Sequence, residues 1–186
     1  MNRDNLIVVF QFFILLFLQS FLLNNINFFG YINPNLYILF IIIYRLDGNS
    51  TILILLGFVL GLLLDLLTLG SGGHTIATLT IAFLRPFIVK FSFGVNYDLP
   101  MGMIKGSPFS QRLVYMLMII LIHHLVLYSV IYFSFTNTLT IIKNTIFSSL
   151  FTFVFVYISL GLFKDKNDYT FFFTGCNCFN FHSFRC

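Results

Sequence analysis

The chain has 186 residues, 59% hydrophobic and only 9% charged, with a mean hydropathy of +0.96 and a formal net charge of +4. Soluble domains carry about 25% charged residues, so this composition excludes a soluble globular fold and indicates an integral membrane protein. The length allows one helix bundle, residues 1–166, followed by a Phe- and Cys-rich tail, residues 167–186, with no assigned role.

Arg3 precedes an apolar stretch without a small-residue cleavage site after it, so the start reads as a retained first span, about Leu6 to Leu23. Gln11 and Gln19 share one face of that helix and are expected to bond other helices. A loop rich in amides follows, with Asn24, Asn25, Asn27, Asn33, Asn35, Gly30 and Pro34. Leu36 to Tyr44 is strongly apolar but short for a span; extended back to Phe28 it takes in Gly30 and Pro34. The second span is therefore expected to be broken or partly looped, which is tolerated at membrane depth only where protein or water covers the backbone.

The third span, about Thr51 to Leu67, carries Gly57, Gly61 and Asp65 at i, i+4 and i+8, on one helix face. The two glycines let a neighbouring helix approach closely. A carboxylate continuing that stripe is costly in hydrocarbon and needs something to offset it. Gly70-Ser71-Gly72-Gly73 reads as the turn, because glycine reaches positive φ freely. The fourth span, about Thr75 to Phe93, contains Arg85-Pro86, and a proline there is expected to kink the helix. A polar loop, Ser92 to Arg112, leads to the fifth span, about Leu113 to Phe135, which holds His123 and His124. Adjacent helical residues point about 100° apart, so one histidine is expected to face the bundle without the other. The sixth span is about Leu139 to Phe163.

The basic residues set the orientation. With six spans and both termini inside, Arg3, Arg45, Lys105, Arg112, Lys164 and Lys166 all fall on the inner side, as the positive-inside rule requires. Removing the second span breaks this pattern. At 1.5 Å per residue, Asp65 lies about 9 Å and Arg85 about 18 Å below the outer hairpin. Arg85 is thus expected to snorkel inward rather than pair with Asp65. Asp65 is expected to meet His74, the loop asparagines or water.

Reactive groups are sparse. Gly70 to His74 does not form the strand-borne G-x-S-x-G elbow of a serine nucleophile. The tail residues Cys176, Cys178, His182 and Cys186 lack a usual zinc spacing. The expectation is no catalytic residue, no metal, no cofactor and no nucleic-acid partner, since the basic residues are few and scattered.

Residues 24–44, 57–87 (with GFVLGLLLD and the Leu-Arg-Pro) and 110–128, in that order, resemble the rod shape-determining membrane protein family MreD. The resemblance covers the chain to about Lys166; the tail has no counterpart in it. It implies an all-α bundle of six transmembrane helices, similar to the substrate-binding subunits of vitamin transporters. It also implies a non-enzymatic subunit of the bacterial cell-wall elongation machinery in the inner membrane. The implied partners are MreC, MreB, RodA and the elongation transpeptidase, besides membrane lipids. An alternative is a subunit that binds or transports a small molecule or lipid precursor in a polar pocket built from the loop asparagines (Asn27, Asn33), Asp65 and His74.

Overall fold

The computed structural model describes residues 3–25, 33–44, 50–94, 108–133 and 137–162. Asn27, the 92–112 loop apart from its ends, and the 167–186 tail lie outside the described residues.

Among the described residues every regular element is a helix. The helices are α1 (Arg3–Phe17), α2 (Ile38–Ile43), α3 (Ser50–Leu67), α4 (Gly73–Phe93), α5 (Phe109–Tyr132) and α6 (Thr138–Leu162). Four helical stretches are long and apolar enough to cross a membrane: Ser50–Leu67, Gly73–Phe93, Phe109–Tyr132 and Thr138–Leu160. The chain is a helical, multi-pass membrane protein. α4 stays helical through Pro86.

The first expected span is helical throughout but not uniformly α. α1 passes into a π-helical turn, Leu18–Leu22, and a 3-10 turn, Leu23–Asn25. The second expected span contains a helix of only six residues, α2. The apolar run is too short for more, and Asn33-Pro34-Asn35 before it favours turns.

α3 packs mainly on α4, α4 on α5, and α5 on α6. α2 is enclosed by the longer helices, and Tyr37 to Ile41 are at most 1% exposed. Apolar side chains point outward along the long helices, as at Leu55, Phe83, Phe91, Leu125 and Leu150, while polar ones gather inside. That distribution inverts the soluble pattern and suits a lipid surround, where burying Leu against protein gains little over burying it against acyl chains.

Candidate functional site

The α3–α4 hairpin is built around the glycine face. A Cβ at Gly57 would sit 3.2 Å from Ala82 Cβ. At Gly61 it would meet Thr78 Oγ1, lie 2.6 Å from Thr75 Cα and 2.8 Å from His74 O. The α4 backbone therefore occupies the space a side chain at Gly61 would need. In the turn, Gly72 takes the left-handed conformation (φ 81°), and so does Leu69 (φ 52°), which is almost fully exposed. The turn thus draws on Leu69 as well as glycine for positive φ.

Asp65, one step further along the same face, is buried and caps α4. Its Oδ1 accepts from the His74 backbone N–H at 3.2 Å. Its Oδ2 accepts from the Thr75 backbone N–H at 2.8 Å and from Thr75 Oγ1 at 2.6 Å. The first N–H groups of a helix have no partner within it and carry partial positive charge. A carboxylate from the preceding helix satisfies both conditions, so the cost of burying it is offset within the hairpin. Its partners among the described residues are His74 and Thr75, not Asn24, Asn33 or Asn35.

Arg85 does not snorkel into the open. It is buried, with Nε donating to Tyr115 Oη at 2.9 Å and a terminal nitrogen donating to the carbonyl of Tyr44, the residue that ends α2. Its guanidinium also lies over the Tyr44 ring, 5.9 Å from the centroid. A cation at a helix C-terminus complements the carbonyl ends there. α2 is so short that its end falls inside the bundle, within reach of Arg85; a full-length second helix would have carried that end past it. Arg85 and Asp65 do not pair.

The start of α2 is tied down in the same way. Gln19, buried in the π turn, donates Nε2–H to Pro34 O at 3.2 Å and accepts the Leu36 N–H at 2.8 Å. The Asn35 N–H donates to Thr152 Oγ1 at 3.0 Å. Irregular backbone inside a membrane bundle requires such partners.

Both histidines of α5 face inward and are fully buried. α5 lies between α4 and α6, so its buried arc is wide enough for two adjacent residues. His124 Nδ1–H donates to Ile120 O at 2.8 Å, and a carbonyl can only accept. Its Nε2 then accepts from Asn35 Nδ2 at 3.3 Å and Thr152 Oγ1 at 3.2 Å. His123 Nε2 and His74 Nδ1 both bond Tyr37 Oη, at 2.9 Å and 2.8 Å. His123 Nδ1 and Asn33 Oδ1 are buried without a partner among the described residues.

From His124 a polar ladder runs between α5 and α6. His124 meets Thr152, Tyr128 Oη shares a 2.6 Å hydrogen bond with Ser148 Oγ, and Asn144 Nδ2 donates to Tyr132 Oη at 2.8 Å. Each rung moves four residues along both helices in opposite senses. The ladder was missed at the level of sequence, although its α6 half carries a signal: Asn144, Ser148 and Thr152 recur every four residues in an apolar helix. Tyr37 and Asn35 carried no such signal, because their segment has no sustained period.

No group of three or more His, Cys, Asp or Glu side chains among the described residues is arranged to hold a metal ion. No family model matches the chain, and no curated protein or solved structure matches it either.

Proposed function

We propose that the chain is an MreD-like, non-enzymatic scaffold of the bacterial cell-wall elongation machinery. In this reading it lies in the inner membrane with six spans and both termini cytoplasmic, in a fold similar to the substrate-binding subunits of vitamin transporters. α1 with its π turn, and the 28–44 segment with α2, supply the two spans beyond the four long helices. Its partners are MreC, MreB, RodA and the elongation transpeptidase. The supporting observation is how the intramembrane polar side chains are used. Asp65 closes the start of α4, Arg85 closes the end of α2, and Gln19 and Thr152 close the 34–36 backbone. Groups engaged in this way serve architecture, while the outward faces of the long helices stay apolar and available to lipid or partner helices. Depletion with rescue tests the reading: cells lacking the protein should round up, and the full chain should restore rods. Normal rods after complete depletion would end it.

The alternative of a subunit for a small molecule or lipid precursor draws on Asn33 Oδ1 and His123 Nδ1, which are buried without a partner among the described residues. Co-purification of one defined small molecule, lost on substituting His123, would favour that reading.

A further inference from the structure

The Tyr37 hydroxyl has one hydrogen and two imidazole neighbours, His74 Nδ1 from α4 and His123 Nε2 from α5. With both rings neutral, the protons have a preferred order. His123 Nδ1 is buried and has no partner among the described residues. An N–H there would be a stranded donor, which costs more than a bare ring nitrogen with nothing to donate. His123 therefore carries its proton on Nε2 and donates it to Tyr37 Oη. Tyr37 in turn donates to His74 Nδ1, and His74 keeps its own proton on Nε2. Two hydrogen bonds are thus made with two protons, and they join the 33–44 segment to α4 and α5 at once.

We propose that this junction is a protonation-gated latch: Tyr37 holds the 33–44 segment to α4 and α5 while His74 is neutral, and loosens it when His74 takes up a proton. Protonation of His74 forms an N–H bond at Nδ1 with a proton drawn from solvent. Three hydrogens then converge on one oxygen: Nδ1–H of His74, Nε2–H of His123 and the hydroxyl hydrogen, which has lost its acceptor. Tyr37 Oη can accept from both rings, but its own hydrogen is then a buried donor with no acceptor among the described residues. Moving the His123 proton to Nδ1 only passes that orphan donor to His123, so the junction is weakened in every arrangement. His74 is the member that solvent reaches, being half-buried in the first turn of α4 beside the hairpin, whereas His123 is fully enclosed.

Among the described residues the groups around the latch are few. α3 contributes Asp65, whose carboxylate accepts from the His74 N–H. α5 contributes His123 and His124, with Tyr128 one turn further on; His124 is held in its single-proton form by Ile120, Asn35 and Thr152. The π turn after α1 and the facing part of α6 offer the amide of Gln19 and the amide and hydroxyls of 144–152, none of them charged. Arg85 is eleven residues further along α4 and is engaged by Tyr115 and Tyr44. The device does not depend on the elongation reading.

Nitrogen and carbon NMR of the full chain, labelled at histidine and tyrosine and reconstituted in phosphatidylcholine vesicles, tests it, with His74→Gln identifying the His74 signals and Tyr37→Phe those of Tyr37. Between about pH 8 and about pH 5, His74 should gain its second ring proton. The phenolic carbon of Tyr37 and Nε2 of His123 should shift with the same midpoint, while His124 stays in its Nδ1–H form. In Tyr37→Phe, His74 should titrate without moving His123. The proposal is overturned if His74 keeps a single ring proton across that range. It is equally overturned if His74 becomes cationic while the Tyr37 and His123 signals of the unsubstituted chain stay still.

Discussion

Thr75 is bound to Asp65 twice, through its backbone N–H at 2.8 Å and its hydroxyl at 2.6 Å, both to the same carboxylate oxygen. The other oxygen takes the His74 N–H. Every partner of this carboxylate is a donor. Asp65→Asn would turn one acceptor into an NH2 group aimed at a donor, so the amide is not a neutral replacement. The variant should lose about 1–3 kcal/mol of stability, read as a lower unfolding temperature in detergent. An unchanged temperature would mean that the cap contributes nothing.

Gly61→Ala should be harmful despite its small size. The added Cβ would lie 2.6 Å from Thr75 Cα, a backbone atom that cannot swing aside. α3 and α4 must separate, costing about 1–3 kcal/mol. Gly57→Ala meets only Ala82 Cβ at 3.2 Å and should cost less. Measured side by side, equal losses for the two would contradict the asymmetry of the hairpin.

Arg85→Lys keeps the charge but loses the fork. One ammonium cannot reproduce the planar donor pair that meets Tyr115 Oη and the Tyr44 carbonyl together. A loss of about 1.5–3 kcal/mol is expected for the hydrogen bond to the charged group. Proteolysis after Tyr44 in the reconstituted protein should accelerate as the α2 end loosens; an unaltered cleavage rate would remove Arg85 from this role.

The middle rung of the α5–α6 ladder can be weighed by a double-mutant cycle with Tyr128→Phe and Ser148→Ala. Interhelical hydrogen bonds in membranes give coupling energies of about 0.6 kcal/mol, up to about 1.7. Strictly additive losses would mean the rung is incidental to packing.

Orientation is open to direct labelling. In a background without the three native cysteines, a cysteine introduced at Ser71 should react with an impermeant reagent added outside intact cells, and one at Gly102 should not. The opposite pattern would reverse the proposed topology.

The four long helices were legible because each is a sustained apolar run between polar breaks, and Asp65 stood out as an acid that needed offsetting. What offsets it was hidden, because a helix N-terminus is a backbone property and the sequence shows only side chains. Arg85 was misplaced for a related reason. Counting residues gives depth along one helix, but not that the neighbouring helix α2 ends early enough to present a carbonyl there. For His123 and His124, the 100° spacing is correct; the arc of α5 that its neighbours cover was the missing quantity. Tyr37 is the sharpest omission. An isolated tyrosine in an apolar run looks like packing, and only the meeting of three elements turns its hydroxyl into a junction.

The α5–α6 ladder has a mechanical consequence. Because its rungs repeat every four residues on both helices, a slide by one, two or three residues misaligns all of them together. A slide of four brings Tyr132 opposite Ser148 and Tyr128 opposite Thr152, restoring donor–acceptor pairs in a new register. That slide also sets His124 against Val156 and carries Asn144 past the end of α5 at Tyr132, so only the present register fills all three rungs. Relative sliding of α5 and α6 by any number of residues leaves buried polar groups without their partners.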